Sequence, residues 1–326
     1  MSVNKYINGE LITLANGSRT WIGTKEAYNA AKQAGTLPTD CLIAITDDEN
    51  DRAVSGTNLL DNPWFTVNQR GQSSYSGLGY TVDRWRGLTN SSTTVNSDNT
   101  LTLGNVAASS WIQEYLEPAF SAMLLGKVVT FSVMLSNGDV YSRTDTVPIA
   151  LPSSSYTEFC RISGIPNAAT ATELLLHSDG RLIAQIGAAA NASLTIRAAK
   201  LELGTASTLE NDTAPNYATE LLKCQRYFQR MEGLANVGLA FVNSTTSLRW
   251  LLSLPCTMRS LPTIKTSGIS LYNSAGSFTA SDVSAQTLAN NVIALALSYT
   301  TGGLALNSIY LVQVTTGSYI EFSADL

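Results

Sequence analysis

The sequence predicts an all-β protein, two antiparallel β-sandwiches in tandem behind a small α/β segment. Three observations point there. Short alternating or apolar runs such as KVVTFSVML (Lys127–Leu135), LRWLLSLP (Leu248–Pro255) and YIEFSADL (Tyr319–Leu326) recur along the chain, the signature of strands rather than helices. Asn137-Gly138 and Asp179-Gly180 sit between apolar arms as hairpin turns. At 326 residues, the chain suits two or three domains.

Residues 1–55 form the α/β segment. Thr24 precedes KEAYNAAKQAG, an Ala-rich helix that Gly35 can end at C′. CLIAIT (Cys41–Thr46) is a short apolar strand, and DDENDRAVSGTN is a polar linker. A helix this short is marginal alone, so the segment is expected to dock on a neighbour.

Residues 56–205 form the first sandwich. NLLDNPWFTVNQRG (Asn58–Gly71) with YTVDRW (Tyr80–Trp85) reads as its opening, and RAAKLELG (Arg197–Gly204) as its closing strand. In WIQEYLE, Trp111, Gln113 and Tyr115 share one face and Ile112, Glu114 and Leu116 the other.

Residues 206–224 are a linker, ASTLENDTAP, and a short helix begun by Pro215 and Asn216 that stops near Cys224. The second sandwich covers residues 225–326. Its strands are RYFQRM, LRWLLSLP, a hairpin around Asn273–Gly276, the apolar NVIALALSY and SIYLVQVT, and a last strand with Ile320, Phe322 and Ala324 on one side.

Composition narrows the function. Charged residues are 14% of the chain, against about 25% in an ordinary soluble domain. Short neutral polar residues replace them, as suits an extracellular β-protein whose subunits pack closely. The net charge of -5 comes without a basic stripe, so no nucleic-acid partner is expected. No apolar run is long enough to span a membrane, and MSVNKYINGELITLANG has no apolar run, so no secretory leader is expected. Cys41, Cys160, Cys224 and Cys256 are scattered without metal spacing and read as free thiols, mostly buried.

Catalytic signals are weak, and the chain is not expected to be an enzyme or to hold a cofactor. The single histidine, His177, sits beside a hairpin turn. Paired carboxylates for glycoside hydrolysis, Asp83 with Glu114 or Glu202 with Asp145, are not selected by spacing. Asp83 is expected to cap, or to pair with Arg84 or Arg86. Asp47–Asp51 lacks the Gly and distal Glu of a calcium loop.

Saccharide binding needs rings that stack on sugar C–H faces, beside amide or charged partners. Tyr75 and Tyr80 flank a Gly/Ser loop, Trp111, Gln113 and Tyr115 could line a concave sheet, and Tyr272 and Asn273 sit at a hairpin tip. Trp64, Trp85 and Trp111 occupy strand positions, where core packing competes with that role.

The segments Asn58–Trp85 and Arg197–Gly204 resemble the jelly-roll, carbohydrate-binding-module-like domains of phage and prophage tail fibres and receptor-binding proteins. ITDDE (Ile45–Glu49) is similar to the end of their attachment segment. NDTAPNYATELLKCQRYFQRM (Asn211–Met231) is similar to the lead into their C-terminal head. The resemblance implies a homotrimer held to a phage baseplate or tail protein through residues 1–55. It would be assembled in the host cytoplasm, carried on the virion tail, and would bind host-surface polysaccharide. The alternatives are a glycan-degrading tailspike and a purely structural baseplate or fibre component.

Overall fold

The computed structural model describes residues 10–13, 19–23, 30–36, 42–45, 56–105, 108–169, 172–233, 236–273, 276–279, 282–287, 292–298, 304–306 and 308–325. In the N-terminal part, β1 (Glu10–Thr13) pairs antiparallel with β2 (Arg19–Gly23), and β2 pairs parallel with β3 (Leu42–Ile45). Residues 30–33, between β2 and β3, are helical, the kind of crossover a parallel pair needs. Gly35 follows them at φ 67°, as its C′ role requires. Thr24, Tyr28, Cys41 and the acidic run at 47–51 lie outside the described residues.

The first sandwich comprises β4 (Ser74–Ser76), β5 (Gly79–Tyr80), β6 (Trp85–Gly87), β7 (Ser92–Val95), β8 (Leu101–Asn105), β9 (Ser110–Tyr115), β10 (Val128–Leu135), β11 (Val140–Thr146), β12 (Tyr156–Arg161), β13 (Glu173–His177), β14 (Leu182–Ala188) and β15 (Ala192–Leu203). They form two six-stranded antiparallel sheets, ordered β11-β10-β15-β8-β7-β4 and β12-β13-β14-β9-β6-β5. The chain passes repeatedly between the sheets: β8, β9 and β10 alternate from one to the other and back. A short helix, α1 (Pro118–Ala122), lies between β9 and β10. Alternation sends Leu101, Leu103, Ile112, Phe131, Leu174 and Ile186 into one core. Each such side chain contributes about 1.5–3 kcal/mol when buried. Gly138 (φ 95°) and Gly180 (φ 88°) adopt the left-handed backbone of the two expected hairpin turns.

The opening segment differs from a strand. Leu59 N donates to Leu201 O at 2.7 Å and Asn58 Nδ2 to Ala199 O at 2.8 Å, so opening and closing segments do lie side by side. Residues 57–73 nevertheless form no strand, and YTVDRW is broken by a turn in which Trp85 N donates to Val82 O at 3.1 Å. Asn62, Phe65 and Arg84 hold φ of 50°, 56° and 73°, a left-handed conformation that no strand accommodates. The bends serve the core: Phe65 meets Trp85 edge-on at 5.3 Å, and both are fully buried.

Residues 206–215 pack against the outside of β15 rather than hanging free. Leu209 is buried with Met134 and Ala198. Lys200 Nζ reaches Asp212 Oδ2 at 2.6 Å, and Glu202 accepts from Thr208 N at 2.8 Å. The helix α2 (Tyr217–Gln225) begins at Asn216, whose side chain accepts from Ala218 N and Thr219 N.

The second sandwich is built from β16 (Phe228–Glu232), β17 (Gly238–Ser244), β18 (Ser247–Ser253), β19 (Thr263–Asn273), β20 (Gly276–Thr279), β21 (Asp282–Thr287), β22 (Val292–Ser298) and β23 (Ile309–Ser323). They form one continuous eight-stranded antiparallel sheet, ordered β20-β19-β23-β17-β18-β22-β21 with β16 also on β23, so this sandwich is a single sheet folded on itself rather than the two separate sheets of the first. The sheet curls until β19 and β21, near its opposite ends, approach each other. SIYLVQVT and YIEFSADL merge into the single strand β23. Its partner β19 shifts register between Ser267 and Ile269, where Gly268 (φ 65°) faces Ser318. Ile320, Phe322 and Ala324 share the buried side as expected, and Asn273 pairs with Gly276 across the expected hairpin.

Candidate functional site

Two polar clusters stand out. The first is a joint between the sandwiches. Arg84 is buried, with its guanidinium 3.5 Å from the Tyr227 ring, 3.2 Å from Asp61 Oδ2 and 3.8 Å from Glu114 Oε1. Arg70 lies 3.8 Å from the Phe228 ring, 2.6 Å from Asp325 Oδ2 and 3.7 Å from Asp83 Oδ1. Gln69 Nε2 bridges Asp83 and Phe228 O, and Asn62 N donates to Glu220 Oε2 at 2.8 Å. The expectation that Asp83 pairs with Arg84 or Arg86 is therefore corrected. Its partners are Gln69 and Arg70, because the turn at Asp83–Arg84 sends the two side chains apart.

Burial governs titration in the joint. It pushes Asp83 up to about 6 against the pull of Arg70, and lifts Glu114 well above the carboxylate range. Burial alone would lower Arg84, but Glu114 and Asp61 outweigh it and hold the guanidinium charged. Tyr227 is raised by burial, opposed by Arg84. Perturbed groups often mark active sites. Here Asp83 and Glu114 are each 1% exposed, and their neighbours are the elements being joined. Glu202 is likewise buried, against Thr208, while Asp145 is half-buried on β11.

The second cluster lies on the outer face of the β12-β13-β14-β9-β6-β5 sheet. The register places Arg86, Gln113, Gln185, Glu173 and Arg161 in one row across five strands. The row is a directed hydrogen-bond chain. Tyr115 OH donates to Gln113 Oε1 at 2.7 Å, Gln113 Nε2 to Gln185 Oε1, and Gln185 Nε2 to Glu173 Oε1 at 3.2 Å. Arg161 Nε closes the chain on Glu173 Oε2 at 3.1 Å. Burial raises Glu173, with Arg161 opposing.

At one end of this face, Leu78, Tyr80, Arg86, Tyr115, His177 and Arg181 line an open groove of about 690 Å³. Arg181 Cζ sits 5.1 Å from the Tyr115 ring and is held by Asp179 Oδ2 at 2.7 Å. His177 Nδ1 lies 2.8 Å from Asp179 Oδ1. Further along β9, the Trp111 ring packs on Gly187, where an added Cβ would lie 2.2 Å from its Cδ1. Trp111 and Tyr115 are four residues apart, about 13 Å along the strand. Trp111 Nε1 donates to no atom among the described residues.

Of the candidate residues, Tyr80, Trp111, Gln113 and Tyr115 share this face. Gln113 is a buried floor residue at 6% exposure rather than an open contact. Tyr75 lies on the other sheet, buried, with its hydroxyl spent on Asn68. Tyr272, 45% exposed, and Asn273 are in the second sandwich and do not join the groove. Trp85 is core and Trp64 half-buried. The sequence reading missed Arg86, Arg181 and Gln185. A second groove, over β7, β8 and β15, is lined by Ser, Thr, Asn, Gly and Ala and offers neither ring nor charge.

Among the described residues, no group of three or more His, Cys, Asp or Glu is placed to hold a metal, and no helix is long and apolar enough to cross a membrane. Cys160 and Cys224 are buried free thiols, and Cys256 is a half-buried one. Burial pushes Cys160 up to about 12. No protein-family model, no curated protein and no solved structure matches this chain.

Proposed function

We propose that this chain is a non-catalytic saccharide-binding attachment protein of the phage-tail type, working as a homotrimer on the virion tail. In this reading residues 1–55 join the baseplate or tail, and the first sandwich grips host-surface polysaccharide. One observation carries the reading: an open sheet face with Trp111 and Tyr115 on one strand, above a floor of amides locked into a hydrogen-bond chain. Rings present flat apolar faces to pyranose C–H groups, and fixed polar groups supply orientation. The chain Tyr115–Gln113–Gln185–Glu173 holds the phenol in place before ligand arrives, which lowers the ordering cost of binding.

An open groove of this kind binds one sugar segment weakly, near a millimolar Kd, about -4 kcal/mol. Three copies raise avidity by about 10²–10⁴. Exposed Leu239, Phe241, Leu251 and Ile309 on neighbouring strands of the second sandwich supply apolar surface that subunit contact would cover.

The test is binding of the full chain to host-cell polysaccharide, with light scattering of the same sample. Trp111→Ala and Tyr115→Ala should each weaken binding about tenfold or more, a loss of at least about 1.4 kcal/mol, and Tyr272→Ala should leave it unchanged. Wild-type binding at background, or shortening of the polysaccharide, would overturn the reading. A monomer by light scattering would overturn the trimer.

A further inference from the structure

We infer that the groove at Tyr80 and Tyr115 selects saccharides that carry a negative charge, a carboxylate or a phosphate on the sugar, held by Arg86. The inference rests on the saccharide-binding reading above and specifies its ligand.

Arg86 stands in register between Tyr80 and Gln113 on the groove floor, half-buried. Among the described residues, no carboxylate or carbonyl pairs with it. The other arginines withdrawn from solvent behave differently. Arg70, Arg84, Arg181, Arg230 and Arg259 each lie within ion-pair distance of a carboxylate. A partly desolvated guanidinium without a counter-ion is unfavourable, and a bound anion offsets that cost. The planar fork of Arg suits two oxygens of one carboxylate or phosphate.

The rest of the lining agrees. No carboxylate lines the groove. Arg181 adds a second cation over Tyr115, its charge partly taken by Asp179. Tyr80 and Tyr115 stand beside Arg86, so a sugar ring can rest on a phenol while its charged substituent reaches the guanidinium.

The full chain is applied to an array of paired oligosaccharides, each uronate- or phosphate-bearing member beside its neutral counterpart. Wild type, Arg86→Gln, Arg86→Lys and Tyr115→Ala are compared at low and high salt. The expected result is acidic members bound about tenfold more tightly than neutral partners, with the preference fading as salt rises. Arg86→Gln removes the preference, and Arg86→Lys keeps part of it. Uronate or phosphate winning identifies the source of the anion. The wild-type acidic-against-neutral comparison decides the matter even if Arg86→Gln misfolds. Equal binding of both members, weakened by Tyr115→Ala and untouched by Arg86→Gln, overturns this inference and leaves saccharide binding standing. Binding of no member overturns both.

Discussion

Arg84 of the first sandwich stacks 3.5 Å over the ring of Tyr227, which leads into the first strand of the second. The contact ties the two sandwiches through a buried cation. Its left-handed backbone, φ 73°, is strain kept because Asp61, Glu114 and Tyr115 O all converge on the guanidinium. Arg84→Met removes the donor to Tyr115 O and the cation beside Asp61 and Glu114, and should cost about 1.5–3 kcal/mol. Tyr227→Leu removes the ring under the cation, worth about 1–2 kcal/mol. Tyr227→Phe loses only the 2.8 Å bond to Glu117, about 1 kcal/mol. Denaturant unfolding of the full chain should rank the losses in that order. Equal stabilities for Arg84→Met and wild type would show that the joint holds nothing together.

Asp83 gives the joint a pH dependence. Its ordinary carboxyl value of 3.8 rises to about 6 in the fold, chiefly through burial. The folded state therefore binds the proton more tightly than the unfolded chain. As pH climbs from about 4 to about 6, folding stability falls, by up to about 3 kcal/mol at about 1.4 kcal/mol per pKa unit. Above that window the loss is complete. Asp83→Asn carries no such proton. The unfolding free energy of wild type minus that of Asp83→Asn should decline between pH 4 and 6 and then level off. A difference that rises with pH would contradict the buried-carboxylate account.

How far the sequence disclosed these features depends on the physics behind each. Alternation in WIQEYLE placed Trp111, Gln113 and Tyr115 together, because a strand leaves no choice of face. Burial of Ile112 and Leu116 followed from the same rule. Tyr75 escaped it: the two short strands β4 and β5 belong to different sheets, and only long-range pairing decides that. The row Gln113–Gln185–Glu173 depended on turn length. A strict two-residue turn at Asp179-Gly180 would oppose Glu173 with Ile186, whereas the structure opposes it with Gln185. The joint was hidden because Asn62, Phe65 and Arg84 break the strand pattern through left-handed backbone, which no periodicity reports. The segments Asn58–Trp85 and Asn211–Met231 meet in that joint.

Two glycines sit under tryptophans and should respond differently to Ala. At Gly187 a Cβ would lie 2.2 Å from the Trp111 ring, and at Gly238 it would lie 2.3 Å from Trp250 Nε1. Trp111 is half-buried, so its ring borders solvent on one side, whereas Trp250 is 1% exposed within the second core. Gly187→Ala should therefore cost little stability, redden Trp fluorescence and weaken saccharide binding. Gly238→Ala should cost more, about 1–3 kcal/mol by overpacking. Matched losses at the two sites would show that Trp111 is as confined as Trp250.

The amide chain under the groove should behave as one unit. Gln185→Leu leaves Gln113 Nε2 and one Glu173 oxygen without their partners on a floor where Gln113, Gln185 and Glu173 are all 6% exposed. An orphaned buried polar group costs about 1–3 kcal/mol. Gln113→Leu removes the acceptor of the Tyr115 hydroxyl and one donor to Gln185 Oε1. The double variant removes both ends of the shared bond at once, so its loss should fall short of the sum of the singles by about 1 kcal/mol. Glu173→Gln still offers Gln185 an acceptor, and because burial already disfavours the Glu173 charge, it should be the mildest change of the set. The four unfolding free energies form a cycle that measures the coupling directly. Strict additivity would mean that each amide acts alone, and that Tyr115 is oriented by packing rather than by the hydrogen-bond chain beneath it.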